Sequence, residues 1–82
     1  MTTFNQVKEL ILAQGIVARV TILPETDIVL DLNYKPTDVA ELFHMIQRIF
    51  KINLNLEEIT NYTRLDQITQ YIQVNRQLLD PR

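Results

Sequence analysis

Apolar residues recur at spacings of three and four in three stretches of this chain. The strongest pattern lies between Asp31 and Ile52, where Val39, Leu42, Phe43, Ile46, Ile49 and Phe50 share one stripe of a helix. Pro36 suits the start of that helix, because the N–H it lacks is one left unbonded there anyway. Thr37 or Asp38 then offers an oxygen to the free amides of the first turn, and Asp38 and Glu41 suit the positive end of the helix dipole. Burying these six side chains at about 1.5–3 kcal/mol each contributes on the order of 10 kcal/mol, an overestimate to the extent that the unfolded chain already buries some of that surface. The helix is therefore the expected spine of the core. Its other face carries Glu41, His44, Met45, Gln47, Arg48 and Lys51 and reads as solvated surface.

A first helix is expected over residues 3–14. Phe4, Val7, Leu10 and Ile11 form its inner face, Thr2 or Thr3 caps it, and Gly15 stands where a left-handed residue commonly ends a helix. Leu56 to Tyr62 reads as a short helical turn with Asn55 as its cap and Glu57 and Glu58 in its first turn. Thr63-Arg64-Leu65-Asp66 reads as a capping box with Asp in place of Glu or Gln. A last helix follows to about Leu78, with Leu65, Ile68, Tyr71 and Ile72 as its stripe, and residues 79–82 read as a frayed tail.

Residues 16–32 admit two readings. Ile16 to Leu23 and Ile28 to Leu30 are apolar and β-branched around a turn-like Pro24-Glu25-Thr26-Asp27, which by propensity is a β-hairpin. The competing reading is a long ordered loop that drapes over a bundle and drops apolar side chains into its core. β-propensity is too dependent on context to decide between them. Asp31-Leu32-Asn33 leads into the central helix, and Asn33 tolerates the positive φ of a tight turn. The elements together make an all-α chain, a small helical bundle.

Composition narrows the function classes. With 82 residues the chain is expected to be one domain, 1–82, with a modest core. A net charge of −2 with both signs interspersed gives no basic footprint for nucleic acid. No cysteine means no disulfide and no thiolate metal site, which suits a reducing, cytoplasmic setting. No apolar run approaches the roughly 20 residues of a membrane span, and Met1 to Gln6 lacks the regions of a signal peptide. His44 is the single histidine, with no nucleophile or acid pair at helical spacing beside it. Glu57 and Glu58 are adjacent and do not face each other on a helix, so they make no acid–base dyad. No catalytic constellation is present, and an enzyme is not expected.

The order of elements, together with Val7-Lys8, Gln14, Asp31-Leu32, Glu41-Leu42, Phe50, Ile52, Thr63 and Tyr71-Ile72, resembles the acyl carrier proteins. The resemblance runs from about Val7 to Ile72. It implies a small four-helix bundle with a long first loop and a short third helix, and it favours the loop over the hairpin for residues 16–32. The family carries Asp-Ser-Leu at the start of its second helix, and that serine takes the phosphopantetheine arm. Here those positions read Lys35-Pro36-Thr37, and the chain has no serine. The resemblance is thus to a degenerate member without the attachment serine, and no cofactor is expected. Lys35 also opposes, by Coulomb repulsion, the divalent metal that the family's Asp helps to hold. Asn33 replaces the family's turn glycine.

Thr37 carries a hydroxyl one position from the family's serine. Its ordinary reading is a helix cap, and a carrier modified at Thr37 is the alternative. The family's second helix is strongly acidic on its exposed face, and basic patches of partner enzymes dock there. This helix keeps Asp38 and Glu41 but adds Gln47, Arg48 and Lys51, which redirects that electrostatic steering. The expected activity is a non-enzymatic interaction with an unnamed protein partner, through Tyr34, Lys35, Asp38, Glu41, His44 and Arg48. Tyr34, His44 and Met45 form a candidate patch, set against the simpler reading that Tyr34 packs on the loop and Met45 is half-buried. A further alternative is a bundle holding a free acyl chain among Phe43, Ile46, Leu54, Ile59 and Ile68, residues that a packed core explains equally well.

Overall fold

Each helix begins where the chain supplies an acceptor for its free amides. In the computed structural model, which describes residues 2–17 and 21–79, helix α1 spans Thr3–Ala13. The Thr2 hydroxyl caps it, accepting the Asn5 N–H at 3.1 Å. Val7 and Ile11 are fully buried one turn apart, and Gly15 follows with φ +72°. That backbone region favours glycine, which ends the helix without steric cost.

Helix α2, Pro36–Phe50, starts two or three residues earlier than a cap at Thr37 or Asp38 requires. Lys35 is the cap residue, and its side chain has no acceptor to offer. Asp38 instead reaches back and accepts the Lys35 N–H at 3.0 Å. The entry turn places Asn33 at φ +58°. At the far end Lys51 adopts the left-handed conformation, and both its N–H and that of Ile52 bond the Gln47 carbonyl. The Gln47 side chain also turns inward, accepting the Leu54 N–H at 2.9 Å, so it fastens the exit from α2 rather than facing solvent.

The stripe of α2 is narrower than its sequence pattern. Leu42, Phe43 and Ile46 are fully buried, and Val39 and Phe50 are partly so. Ile49 is 54% exposed. At about 100° per residue it lies at the edge of the apolar arc, furthest from its middle.

Helix α3 is a single turn, Leu56–Ile59, shorter than expected. Asn55 caps it, accepting the Glu58 N–H at 3.1 Å. Helix α4 spans Leu65–Leu79, with Leu65, Ile68 and Ile72 fully buried. Tyr71 sits beside Tyr62, the ring centroids 5.7 Å apart, and Arg76 lies over the Phe50 ring at 5.4 Å from its centre. α1 packs against both α2 and α4. The architecture is an all-α four-helix bundle with a long first loop and a short third helix, as the resemblance implies.

No two-stranded ribbon forms among the described residues of the α1–α2 connection; residues 18–20, like the 80–82 part of the expected frayed tail, lie outside them. The loop reading holds instead. Ile22 and Ile28 drop into the core, 3% and 0% exposed. Residues 27–31 close one helical turn through the Asp31 N–H to the Asp27 carbonyl, at 2.8 Å.

The expected Thr63–Asp66 capping box does not form. The Thr63 hydroxyl donates to Asp27 Oδ2 at 2.6 Å. The first amides of α4, from Leu65 and Asp66, bond the loop carbonyls of Thr26 and Pro24 at 2.9 and 2.7 Å. A lone antiparallel bridge pairs Asp27 with Arg64. The loop thus caps α4 from outside.

Candidate functional site

The start of α2 is held from below by a short polar relay. Tyr34 is 4% exposed, its ring directed inward by the turn at Asn33. Its hydroxyl donates to Gln14 Oε1 at 2.5 Å, and the Gln14 amide donates to the Asp38 carbonyl at 3.2 Å. The end of α1, the turn and the first turn of α2 are therefore joined through two side chains. Burial, reinforced by the nearby negative charges of Asp38 and Glu41, pushes the Tyr34 hydroxyl up to about 12.

This placement corrects the expected partner surface. Tyr34 lies beneath it, only 4% exposed, and offers almost no surface for a partner. Met45 is half-buried and His44 exposed, so the three do not form one patch. Lys35, Pro36, Thr37, Glu41, His44 and Arg48 are exposed, and Asp38 is half-buried with its carboxylate on the Lys35 amide. Glu41, His44 and Arg48 fall at spacings of three and four and share one side of the helix. That side runs from acid at its start to base at its end. Among the described residues the one ion pair is Arg64–Asp66, at 2.7 Å, so these α2 charges face solvent.

Phe43, Ile46, Leu54, Ile59 and Ile68, the residues expected around a free acyl chain, are all buried and packed into the core. A groove of about 540 Å³ lies elsewhere, between α3 and α4, and is lined by Tyr62, Tyr71, Gln67 and Val74 among others.

Two residues have structural roles that their sequence positions do not reveal. Gln14 carries the relay under α2, and Leu30 is the most exposed large apolar side chain described, at 79%. Asp27 held the signal for the latter. An Asp whose side chain can accept the amides two and three residues on is a capping pattern, and it fixes which way Leu30 points.

No family model matches the chain. The acyl carrier protein of Helicobacter hepaticus is 30% identical over 76 residues, which cover 93% of this chain and 100% of that relative. The chain belongs to the acyl carrier protein family. The residues at the start of α2 do not fit the family's phosphopantetheine group. Pro36 occupies the first helical position and has no hydroxyl, and the chain contains no serine. Lys35 sets a cation beside the positive end of the helix, where the family motif carries an acid. Among the described residues, no helix is long and apolar enough to cross a membrane, and no group of His, Cys, Asp or Glu side chains could hold a metal ion.

Proposed function

We propose that residues 1–82 form one acyl-carrier-like domain that bears no phosphopantetheine and works as a non-enzymatic protein-interaction module in the cytoplasm. The observation that carries this reading is Pro36 at the first position of α2, in a chain without serine. An arm needs a nucleophilic oxygen at the helix start, and proline supplies none. Lys35 further disfavours the divalent cation that transfer of the arm requires.

The working surface is the start and outer side of α2: Lys35, Asp38, Glu41, His44 and Arg48. Charge changes sign along that side, which suits a partner of matching mixed charge better than a uniformly basic patch. Tyr34 serves this surface from beneath, by fixing the helix start.

Thr37 favours a second reading, since its hydroxyl is exposed at the next position. In that reading the chain carries an acyl group on an arm attached there. A threonine methyl and a one-residue shift both disturb a reaction that depends on positioning, so this reading is second. Co-expression with a broad-specificity phosphopantetheinyl transferase, followed by intact-mass measurement, separates the two. The unmodified mass is expected; a gain of one arm would sink the cargo-free module. A free acyl chain retained through native purification would instead support a lipid-holding bundle.

A further inference from the structure

An apolar side chain on the surface carries little meaning when its backbone is loose. Leu30 differs, because the turn beneath it is over-determined. Its N–H and that of Val29 both bond Asp27 Oδ1, at 2.8 and 2.9 Å. Asp27 Oδ2 accepts the Thr63 hydroxyl at 2.6 Å, and the Asp27 N–H donates to Asp31 Oδ2 at 2.8 Å. Ile28 anchors the turn from below. It is fully buried, its N–H bonds the Thr63 carbonyl and its own carbonyl takes the Tyr34 N–H, both at 2.9 Å. Leu30 therefore points outward by construction, with Val29 beside it at 39% exposure. Docking such a side chain costs little backbone ordering, the condition under which a single apolar residue carries binding energy.

The surroundings select the partner. Between residues 21 and 34 the chain carries Glu25, Asp27 and Asp31 and no lysine or arginine; Arg64, the cation bridged to Asp27, is itself paired with Asp66 at 2.7 Å and leaves the acidic balance in place. A second copy would set these acids against their own kind, and an anionic membrane surface would repel them. A protein with an apolar socket rimmed by basic side chains is complementary to both features.

The geometry points to Leu30, flanked by Val29, as a preformed anchor for a partner protein that presents an apolar socket with a basic rim. This rests on the interaction-module reading and adds to it a surface separate from the outer side of α2.

A photo-crosslinking residue placed at position 30 of the full chain, in cells that make it, tests the anchor; a second variant carries the crosslinker at position 44. The captured protein is identified, purified and titrated against the wild type and Leu30→Ala at two salt concentrations. Expected is one specific partner from position 30. Its affinity falls by about tenfold or more in Leu30→Ala and weakens with salt, and its crosslinked peptide holds Lys or Arg among apolar residues. Leu30 is exposed, so Leu30→Ala should melt like the wild type. A self-crosslinked dimer, or a partner bound equally well by Leu30→Ala, overturns the anchor. Capture from position 44 alone overturns it while leaving the module intact. No specific product from either position overturns both.

Discussion

Helices α2 and α4 are closed at their N-termini in opposite ways. α2 is closed from within its own first turn: Pro36 has no amide to satisfy, and Asp38 reaches back to the Lys35 N–H at 3.0 Å. α4 is closed from the far side of the long loop, by the Thr26 and Pro24 carbonyls. A local cap can change its chemistry without disturbing anything distant. A cap shared between loop and helix cannot, because each half holds the other. On the reading proposed above, the first residues of α2 are therefore where an attachment residue can be replaced at least cost to the bundle, because no loop carbonyl depends on them.

The largest expected effect tests whether the loop is core or covering. Ile28→Ala should cost about 2–5 kcal/mol, the range for removing a buried isoleucine with incomplete collapse of the cavity. Ile46→Ala in α2 is the internal standard, since both side chains are fully buried. Equal losses in denaturant midpoint would make the loop a structural element of the same rank as the helix. A loss below about 0.5 kcal/mol, the scale of an ordinary surface change, would reduce it to a draped segment.

A smaller effect compares the two caps directly. Asp27→Ala should cost about 1–2 kcal/mol and Asp38→Ala about 0.5–1 kcal/mol, the upper and lower parts of the range for a capping side chain. Burial alone would raise the Asp27 carboxyl, but bonds from Thr63, Leu30 and Val29 and the charge of Arg64 outweigh it and hold the group below its ordinary 3.8. A depressed carboxyl stabilises the fold above its unfolded value and loses that contribution as pH falls through its folded value. The gap between wild type and Asp27→Ala should therefore be full at neutral pH and shrink in acid below 3.8. A gap that ignores pH would mean the carboxylate is not what holds the turn.

What the sequence made legible follows the same division. The stripe of Leu42, Phe43 and Ile46, the Asn55 and Thr2 caps, and the positive φ at Gly15 and Asn33 are all local, and the structure contains each of them. Sequence puts Asp38 in the right turn, but its carboxylate accepts the Lys35 N–H rather than an amide further into the helix. Thr63 and Asp66 had the spacing of a capping box, yet Thr63 is taken by Asp27 and the helix amides by the loop. Spacing within a helix start cannot reveal a competitor that arrives through tertiary contact. At the candidate site, Pro36 and the missing serine were plain in the sequence. The burial of Tyr34 was not, because its direction depends on Gln14, an acceptor in a different helix.

The smallest effect tests that last contact. Tyr34→Phe keeps the buried ring and removes only the hydroxyl, so Gln14 Oε1 loses its donor. The expected cost is about 1 kcal/mol, that of one hydrogen bond with a partner left behind. Its signature is in the pH dependence. The folded state holds the Tyr34 proton up to about 12, against 10.0 for the ordinary side chain. The stabilisation is thus complete below pH 10 and is lost as pH rises toward 12. Wild type and Tyr34→Phe should separate at neutral pH and converge in base. Tyr62 and Tyr71 are common to both proteins and cancel in the difference. A constant separation would mean the hydroxyl is not the buried donor that ties α1 to α2. The outer side of α2 would then lack the fixed base that a docking surface needs.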